Sequence, residues 1–218
     1  MFADRAEAGR LLAARLADLN LDAPVVFALP RGGVPIGIEV ARTLSAPLDV
    51  VLARKLGAPD QPELAVGAVA GTSDAPEIVL FAELVHTLGL SEDFIFESAA
   101  RELAVIERQR EQYAALRPSA AAKGSTAIVV DDGVATGMTM QAALRYLRRR
   151  EPARLVAATP VAAREAAAML RHEADATVLI SVPRRFRSVG GFYRAFEQVT
   201  DAEVMRLLAS ANGHPGPA

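Results

Sequence analysis

None of the 218 residues is a cysteine. That excludes disulfides, thiolate metal ligands and cysteine nucleophiles, and it suits a reducing, cytoplasmic setting. Lysine is nearly absent too: Lys55 and Lys123 stand against 22 arginines. The formal net charge is only −2, so there is no broadly basic surface and no nucleic-acid partner is expected. No uncharged run reaches the ~18 apolar residues of a membrane helix. Asp4, Arg5, Glu7 and Arg10 break up the N-terminal apolar residues, which argues against a signal peptide, so no membrane partner is expected either. His86, His172 and His214 lack metal-ligand spacing. With 51% hydrophobic residues, the chain can bury a full core as one domain with an appended subdomain.

What is present centres on Ser125 to Met140. The apolar run Ile128 to Val130 predicts a buried parallel strand. Asp131 and Asp132 end it, a turn of small residues follows, and a helical pattern starts with Met138, Ala142, Leu144 and Leu147 on its apolar side. A strand, a tight turn and a helix N-terminus form an anion site, with the amides of Val134, Ala135, Thr136, Gly137, Met138 and Thr139 expected to face a phosphate. Thr136 and Thr139 add hydroxyl donors, and Gly137 permits close backbone approach. Two carboxylates beside a phosphate would repel it unless the ligand also carries hydroxyl donors or a divalent cation. A phosphorylated ribose meets that condition, its diol facing Asp131 and Asp132 and its 5-phosphate facing the turn. Both acids are read as ligand residues whose replacement leaves the fold intact. The plainer alternative is a strand end with two solvated acids and an ordinary helix cap.

Taken in order, residues 3–19 predict an amphipathic helix with a Leu stripe. Val25 to Leu29 predicts a buried strand, followed by the turn Pro30-Arg31-Gly32-Gly33-Val34-Pro35 and a helix to about Thr43. Arg31, Gly32 and Gly33 suit a second phosphate group, or only a turn that backbone geometry demands. Leu48 to Ala53 predicts the next strand, ending at Arg54 and Lys55. The compact ammonium of Lys55 could meet a mobile anionic group, or could merely end a strand. From Leu64 to Leu116 the α/β alternation is interrupted by a hairpin, Leu64 to Ala70 and Glu77 to Phe81. Helices over Glu83 to Leu88 and Glu92 to about Leu116 follow. Strands over Leu155 to Thr159 and Thr177 to Val182 flank a helix over Val161 to Arg171. Arg148, Arg149 and Arg150 end the helix before them and read as solvated. Phe186, Phe192, Tyr193 and Phe196 cluster beyond the last strand, where Phe186 and Tyr193 could cover a planar base or pack the insert against the sheet. Asp201 to Leu208 closes the chain as a helix. The fold class is α/β, a doubly wound parallel sheet; 62–120 forms an insert and 184–212 a C-terminal hood segment.

The stretch Val129-Val130-Asp131-Asp132-Gly133-Val134-Ala135-Thr136-Gly137-Met138-Thr139 resembles the phosphoribosyl-pyrophosphate motif of type I phosphoribosyltransferases. It has neither the Gly-Lys-Ser/Thr of a Walker loop nor a G-x-G-x-x-G, and its adjacent acids differ from the alternating acids of haloacid-type phosphatases. The turn at 30–35 resembles the same family's pyrophosphate loop. Arg54-Lys55-Leu56-Gly57-Ala58-Pro59 and Val189-Gly190-Gly191-Phe192-Tyr193 look like a subgroup of poorly characterised bacterial members. The resemblance implies displacement of pyrophosphate from C1 of phosphoribosyl pyrophosphate by a nitrogen acceptor. It implies Mg²⁺ held largely by the substrate near Asp131 and Asp132, with no direct protein cage. It implies Arg31 and Lys55 as catalytic residues and Arg31, Gly32, Gly33, Arg54 and Lys55 around the pyrophosphate. A homodimer is left open. Where one branch of the family has an aspartate serving a 6-oxopurine, this chain has Ala135, so such purines are disfavoured and no general base is assigned. A protein that binds phosphoribosyl pyrophosphate or a nucleotide without turnover is the second reading. A sugar-phosphate hydrolase lacks a nucleophile constellation.

Overall fold

A computed structural model describes residues 1–114 and 120–211. The expected end of a helix near Leu116 and the tail carrying His214 lie outside the described residues. Helix α1, Arg5–Ala17, is started by Asp4, whose carboxylate accepts the Glu7 N–H at 2.7 Å; Ala8, Leu12 and Leu16 lie buried along one stripe. Strand β1, Pro24–Ala28, leads into helix α2, Gly33–Leu44, and then into the short strand β2, Leu48–Val50. After an excursion described below come β6, Thr126–Val130; α5, Met138–Arg148; β7, Arg154–Val161; α6, Arg164–Glu173; and β8, Ala176–Ser181. These five strands form one parallel sheet in the order β2-β1-β6-β7-β8.

Side-chain alternation divides the core between the two faces of this sheet. Val26, Ala28, Ile128, Val130, Val156 and Ala158 belong to the core shared with α1 and α2. Val25, Phe27, Ala127, Val129, Leu155 and Ala157 belong to the core shared with α5 and α6. Burial on both faces explains why these strands read as continuous apolar runs. β1 connects outward to the edge strand β2, whereas its other neighbour β6 continues towards β7. The crevice between the C-terminal ends of β1 and β6 is therefore the switch point of the sheet, the place where ligands bind in open α/β folds.

The excursion is a second sheet, antiparallel, of β3, Ala53–Ala58; β4, Gln61–Thr72; and β5, Ala75–Leu80. Helices α3, Ala82–Thr87, and α4, Glu92–Ala114, follow it. Ile95, Ala99, Leu103 and Ile106 give α4 a buried stripe, and Ala68, Ala70 and Val79 of the sheet pack against Met138 and Ala142 of α5. Here the structure corrects the expected strand Leu48 to Ala53. As an edge strand β2 has only β1 to pair with; its last tie is the Val51 N–H to the Ala28 carbonyl at 3.0 Å, after which the chain leaves the parallel sheet. Arg54 and Lys55 therefore lie within β3 of the other sheet, not at a parallel strand's end. The hairpin is longer than expected and has β3 as a third strand. The arginines at 148–150 are not simply solvated: Arg148 pairs with Asp175 at 2.8 Å, and Arg149 reaches the buried Glu77 of β5 at 2.8 Å. Among the described residues, no helix is long and apolar enough to cross a membrane.

The C-terminal segment crosses back as a 3₁₀ turn, Val189–Phe192, and ends in α7, Asp201–Ala211. It meets the first residues of the chain: the Phe2 N–H donates to the Phe192 carbonyl at 2.8 Å and the Arg194 N–H to the Phe2 carbonyl at 2.9 Å.

Candidate active site

The 134–139 turn is close to its expected form. Gly137 caps α5 at φ 83°, a left-handed conformation that side chains resist, and an added Cβ would stand 2.3 Å from Met169 Cε. Among the described residues no side chain caps this helix. Among the described residues nothing accepts from the amides of Ala135, Thr136, Gly137, Met138 or Thr139, so the positive end of α5 is open. Ala135 and Thr136 are exposed and Thr139 is half-buried, while Gly137 and Met138 are buried. Val134 is the exception. Its N–H donates to the Val161 carbonyl at 2.9 Å and its carbonyl accepts from Ala163, so it holds the turn to β7 and offers no donor to a ligand.

The pyrophosphate-type loop presses directly on the acids. The peptide between Pro30 and Arg31 is cis. A Cβ on Gly32 would lie 2.1 Å from Asp132 Oδ2, and one on Gly33 would lie 2.6 Å from the Val130 carbonyl oxygen. These glycines are thus required by close approach between two loops at the switch point, whatever they also bind. Arg31 is exposed and reaches Asp201 of α7 at 3.7 Å. Arg54 is paired with Glu102 of α4, and Lys55 is exposed on β3 with no ion-pair partner among the described residues. The three cations expected around one pyrophosphate are therefore spread over a loop and the second sheet.

Asp131 and Asp132, adjacent in sequence, have different environments. Asp131 is half-buried, and its Oδ1 accepts from the Asp132 N–H at 2.8 Å. Burial, reinforced by the charge of Asp132, holds its carboxyl well above the usual carboxylate range. Asp132 is buried, and Arg5 Nε donates to its Oδ2 at 2.7 Å, both side chains being 12% exposed. Burial raises the Asp132 carboxyl as well, and the Arg5 guanidinium pulls against that rise. Tyr193, a candidate to cover a base, is instead buried. Its hydroxyl donates to the Asp132 carbonyl at 2.5 Å, and its ring lies between Phe2 at 5.3 Å and Phe196 at 4.9 Å. Burial pushes its phenol far above the ordinary range, so it stays protonated. Phe186 is half-buried and stacks on Phe192 at 5.4 Å, which leaves it as the aromatic candidate at this edge. Val189 closes on Gly133, where an added Cβ would stand 2.4 Å from its Cγ1, so the hood segment rests on the acidic turn.

Arg5 is the residue that the linear pattern missed. Its partners lie 127 and 192 residues away, and no local spacing marks it. Among the described residues, no cluster of three or more His, Asp or Glu side chains could hold a metal by itself. A divalent cation here would rest mainly on ligand oxygens, with Asp131 the carboxylate left open to it, as suits a Mg²⁺ that arrives with its substrate.

The phosphoribosyl transferase domain family matches residues 3–193. Proteins from two strains of Mycobacterium tuberculosis, provisionally named as a phosphoribosyl transferase, are 40% identical over 212 residues. That alignment takes in 97% of this chain but 47% of theirs, so the chain spans about half the length of these relatives. A solved protein of Thermus thermophilus is 45% identical, with a TM-score of 0.81 over 96% of this chain and 98% of its own. One from Aquifex aeolicus, 14% identical with a TM-score of 0.50 over 84% and 74%, shares the fold alone. With the open helix end, the paired acids and the glycine loop meeting at one switch point, the chain belongs to the phosphoribosyl transferase family.

Proposed function

We propose that this protein moves the 5-phosphoribosyl group from phosphoribosyl pyrophosphate to a nitrogen acceptor of nucleobase type, releasing pyrophosphate. The observation that carries the proposal is the uncapped N-terminus of α5 standing beside Asp131 at the β1/β6 crevice. In this reading the amides of 135–139 and the hydroxyls of Thr136 and Thr139 hold the 5-phosphate, and Asp131 accepts from the ribose diol. The backbone of Gly32 and Gly33 receives the pyrophosphate with Arg31, and Lys55 approaches from the second sheet. The bond from C1 to pyrophosphate breaks as the acceptor nitrogen bonds to C1, and the acceptor's proton goes to solvent. Catalysis is then positioning plus stabilisation of the leaving group's charge. Mg²⁺, when bound with the substrate, would offset the negative charge of that leaving group. Ala135 in place of an aspartate disfavours 6-oxopurines, and a cytoplasmic location is part of the same reading.

A second reading, a binding protein for phosphoribosyl pyrophosphate or a nucleotide, draws on one observation: Arg54 is tied to Glu102, and Lys55 lies exposed on the second sheet with no ion-pair partner among the described residues. One experiment separates the two. The protein is incubated with phosphoribosyl pyrophosphate, Mg²⁺ and a panel of nitrogen bases, and pyrophosphate release is followed. Release with at least one acceptor is the expected result; binding of phosphoribosyl pyrophosphate without release across the panel favours the sensor.

A further inference from the structure

The segment that leaves the last parallel strand is charged unlike the rest of the chain. From Ala176 to Phe196 there are four arginines, Arg184, Arg185, Arg187 and Arg194, and neither an aspartate nor a glutamate, in a protein whose formal net charge is −2. All four are exposed, and among the described residues none of their side chains has an ion-pair or hydrogen-bond partner. Other surface arginines are matched, Arg145 to Glu173 and Arg148 to Asp175 for example. Like charges gathered without counter-charge repel one another, and an anion beside them relieves that repulsion.

The topology places three of these arginines at the crevice. β8 ends at Ser181, level with Val161 of β7, and the Ala162 N–H donates to the Ser181 carbonyl at 3.1 Å. The chain is next fixed at Val189, which closes on Gly133 of the turn after β6. Residues 182–188 therefore cross the C-terminal edge of the sheet, carrying Arg184, Arg185 and Arg187. Phe186 lies among them, half-buried, its plane set by Phe192 at 5.4 Å. The glycine loop follows β1, on the other side of β6 from β7 and β8. Displacement at C1 brings the acceptor in opposite the leaving group. With pyrophosphate at Gly32 and Gly33, the acceptor enters from the side of 182–188. Ala135, exposed on the open turn, sets no negative charge against an anionic acceptor there.

Resting on the proposed transfer from phosphoribosyl pyrophosphate, we propose that the nitrogen acceptor is a planar ring bearing a carboxylate, received by Arg184, Arg185 and Arg187 beside Phe186. A guanidinium presents a planar fork that matches a carboxylate through two parallel hydrogen bonds. A neutral base would leave the three cations unmatched, whereas a carboxylated one neutralises the segment and is steered towards it. The carboxylate is a handle only and takes no part in the bond changes at C1.

The test uses rings compared with and without that group: uracil against uracil-6-carboxylate, pyridine-3-carboxamide against pyridine-3-carboxylate, and aniline against 2-aminobenzoate. Each is titrated by calorimetry into protein saturated with ribose 5-phosphate, where no transfer occurs, and pyrophosphate release from phosphoribosyl pyrophosphate is followed in parallel. The carboxylated member of at least one pair is expected to bind about tenfold tighter or more, the scale of one charge-assisted hydrogen bond. In a protein carrying Arg184→Gln, Arg185→Gln and Arg187→Gln together, that preference should vanish. Affinity for ribose 5-phosphate should change by less than about twofold, because its phosphate donors lie on the 135–139 turn. The melting temperature should hold, since the three side chains are exposed and unpaired. Equal affinity for both members of every pair overturns the proposal, as does a carboxylate preference that survives the triple substitution. A triple variant that also loses ribose 5-phosphate puts the arginines on the donor's phosphate and overturns it too. A wild type that binds no ribose 5-phosphate removes instead the phosphoribosyl transfer itself, and the acceptor with it.

Discussion

The 134–139 turn draws its donors from one continuous segment, whereas Arg31, Arg54 and Lys55 come from a loop of one sheet and a strand of another. The first half of the crevice is set by local chemistry: a strand end, a left-handed glycine and a helix start that nothing caps. The second half depends on how the antiparallel sheet and α7 stand against the parallel one, and in this form its cations are parted, with Arg54 on Glu102 and Arg31 near Asp201. In the proposed reaction, recognition of phosphate and ribose would therefore be preorganised, while the groups meant for a leaving pyrophosphate would have to be gathered by motion of the C-terminal segment or by the ligand. On that proposal, binding and turnover draw on different parts of the molecule.

The largest effect should come from the acid that serves both halves. Asp132→Asn leaves the Arg5 guanidinium buried without its counter-charge, so stability should drop by about 3 kcal/mol in urea denaturation, the low end for breaking a buried pair. A loss below about 1 kcal/mol would detach Asp132 from the framework and return it to the ligand side. Next in size is Lys55→Ala. It should lower kcat by about 10²-fold, the scale of one charge-stabilising donor, while leaving the melting temperature and the affinity for a 5-phosphate mononucleotide unchanged. Full turnover in that variant would mean that the second sheet supplies no catalytic cation.

Asp131→Asn should weaken ribose 5-phosphate by about 1.5 kcal/mol, a charge-assisted hydrogen bond at its lower bound, read by calorimetry. Its effect on stability should carry the opposite sign to that of its neighbour. The folded protein holds the Asp131 carboxyl above its ordinary range, so ionisation is penalised in the fold at pH values above that raised pKa. The penalty fades as pH falls through it. The asparagine variant should then be more stable than wild type at neutral pH, with the gain shrinking towards acid pH in parallel urea titrations. The smallest effect is expected at Arg54→Ala. Releasing Glu102 from a part-exposed pair should cost less than about 1 kcal/mol, and kcat should hold if Arg54 belongs to the framework of the second sheet.

Much of this arrangement was legible in the residues, and the failures have a common physical origin. Val129 to Thr139 carries its own strand, turn and helix start, and burial on both sheet faces made its apolar run readable. Leu48 to Ala53 is also a mostly apolar run, interrupted only by Asp49, but it passes from the edge of one sheet into another, and hydrophobicity does not report which sheet buries a residue. Val134 looked like a phosphate donor because the motif is counted along the chain, whereas its amide is spent on β7. For Tyr193 the aromatic cluster left covering a base and packing equally open, and its ring, enclosed by Phe2 and Phe196, is packed. Arg5 gave no signal, since ion pairs across more than a hundred residues leave no spacing behind.

The union of Phe2 and Arg5 with residues 192–197 also orders the events of synthesis. Residues 134–139 can form their turn and helix as soon as β6 and β7 have left the ribosome. Arg5 can meet Asp132 only after 127 further residues and the Glu197 carbonyl only after 192, and these contacts close loops whose entropic cost comes before any reward. A nascent chain stalled before residue 190 would therefore hold the Arg5–Asp132 pair without the Glu197 carbonyl and the Phe196 ring that enclose it. The acidic corner is enclosed only once residues 192–197 have emerged, so it should become resistant to proteolysis later than the 134–139 turn during synthesis.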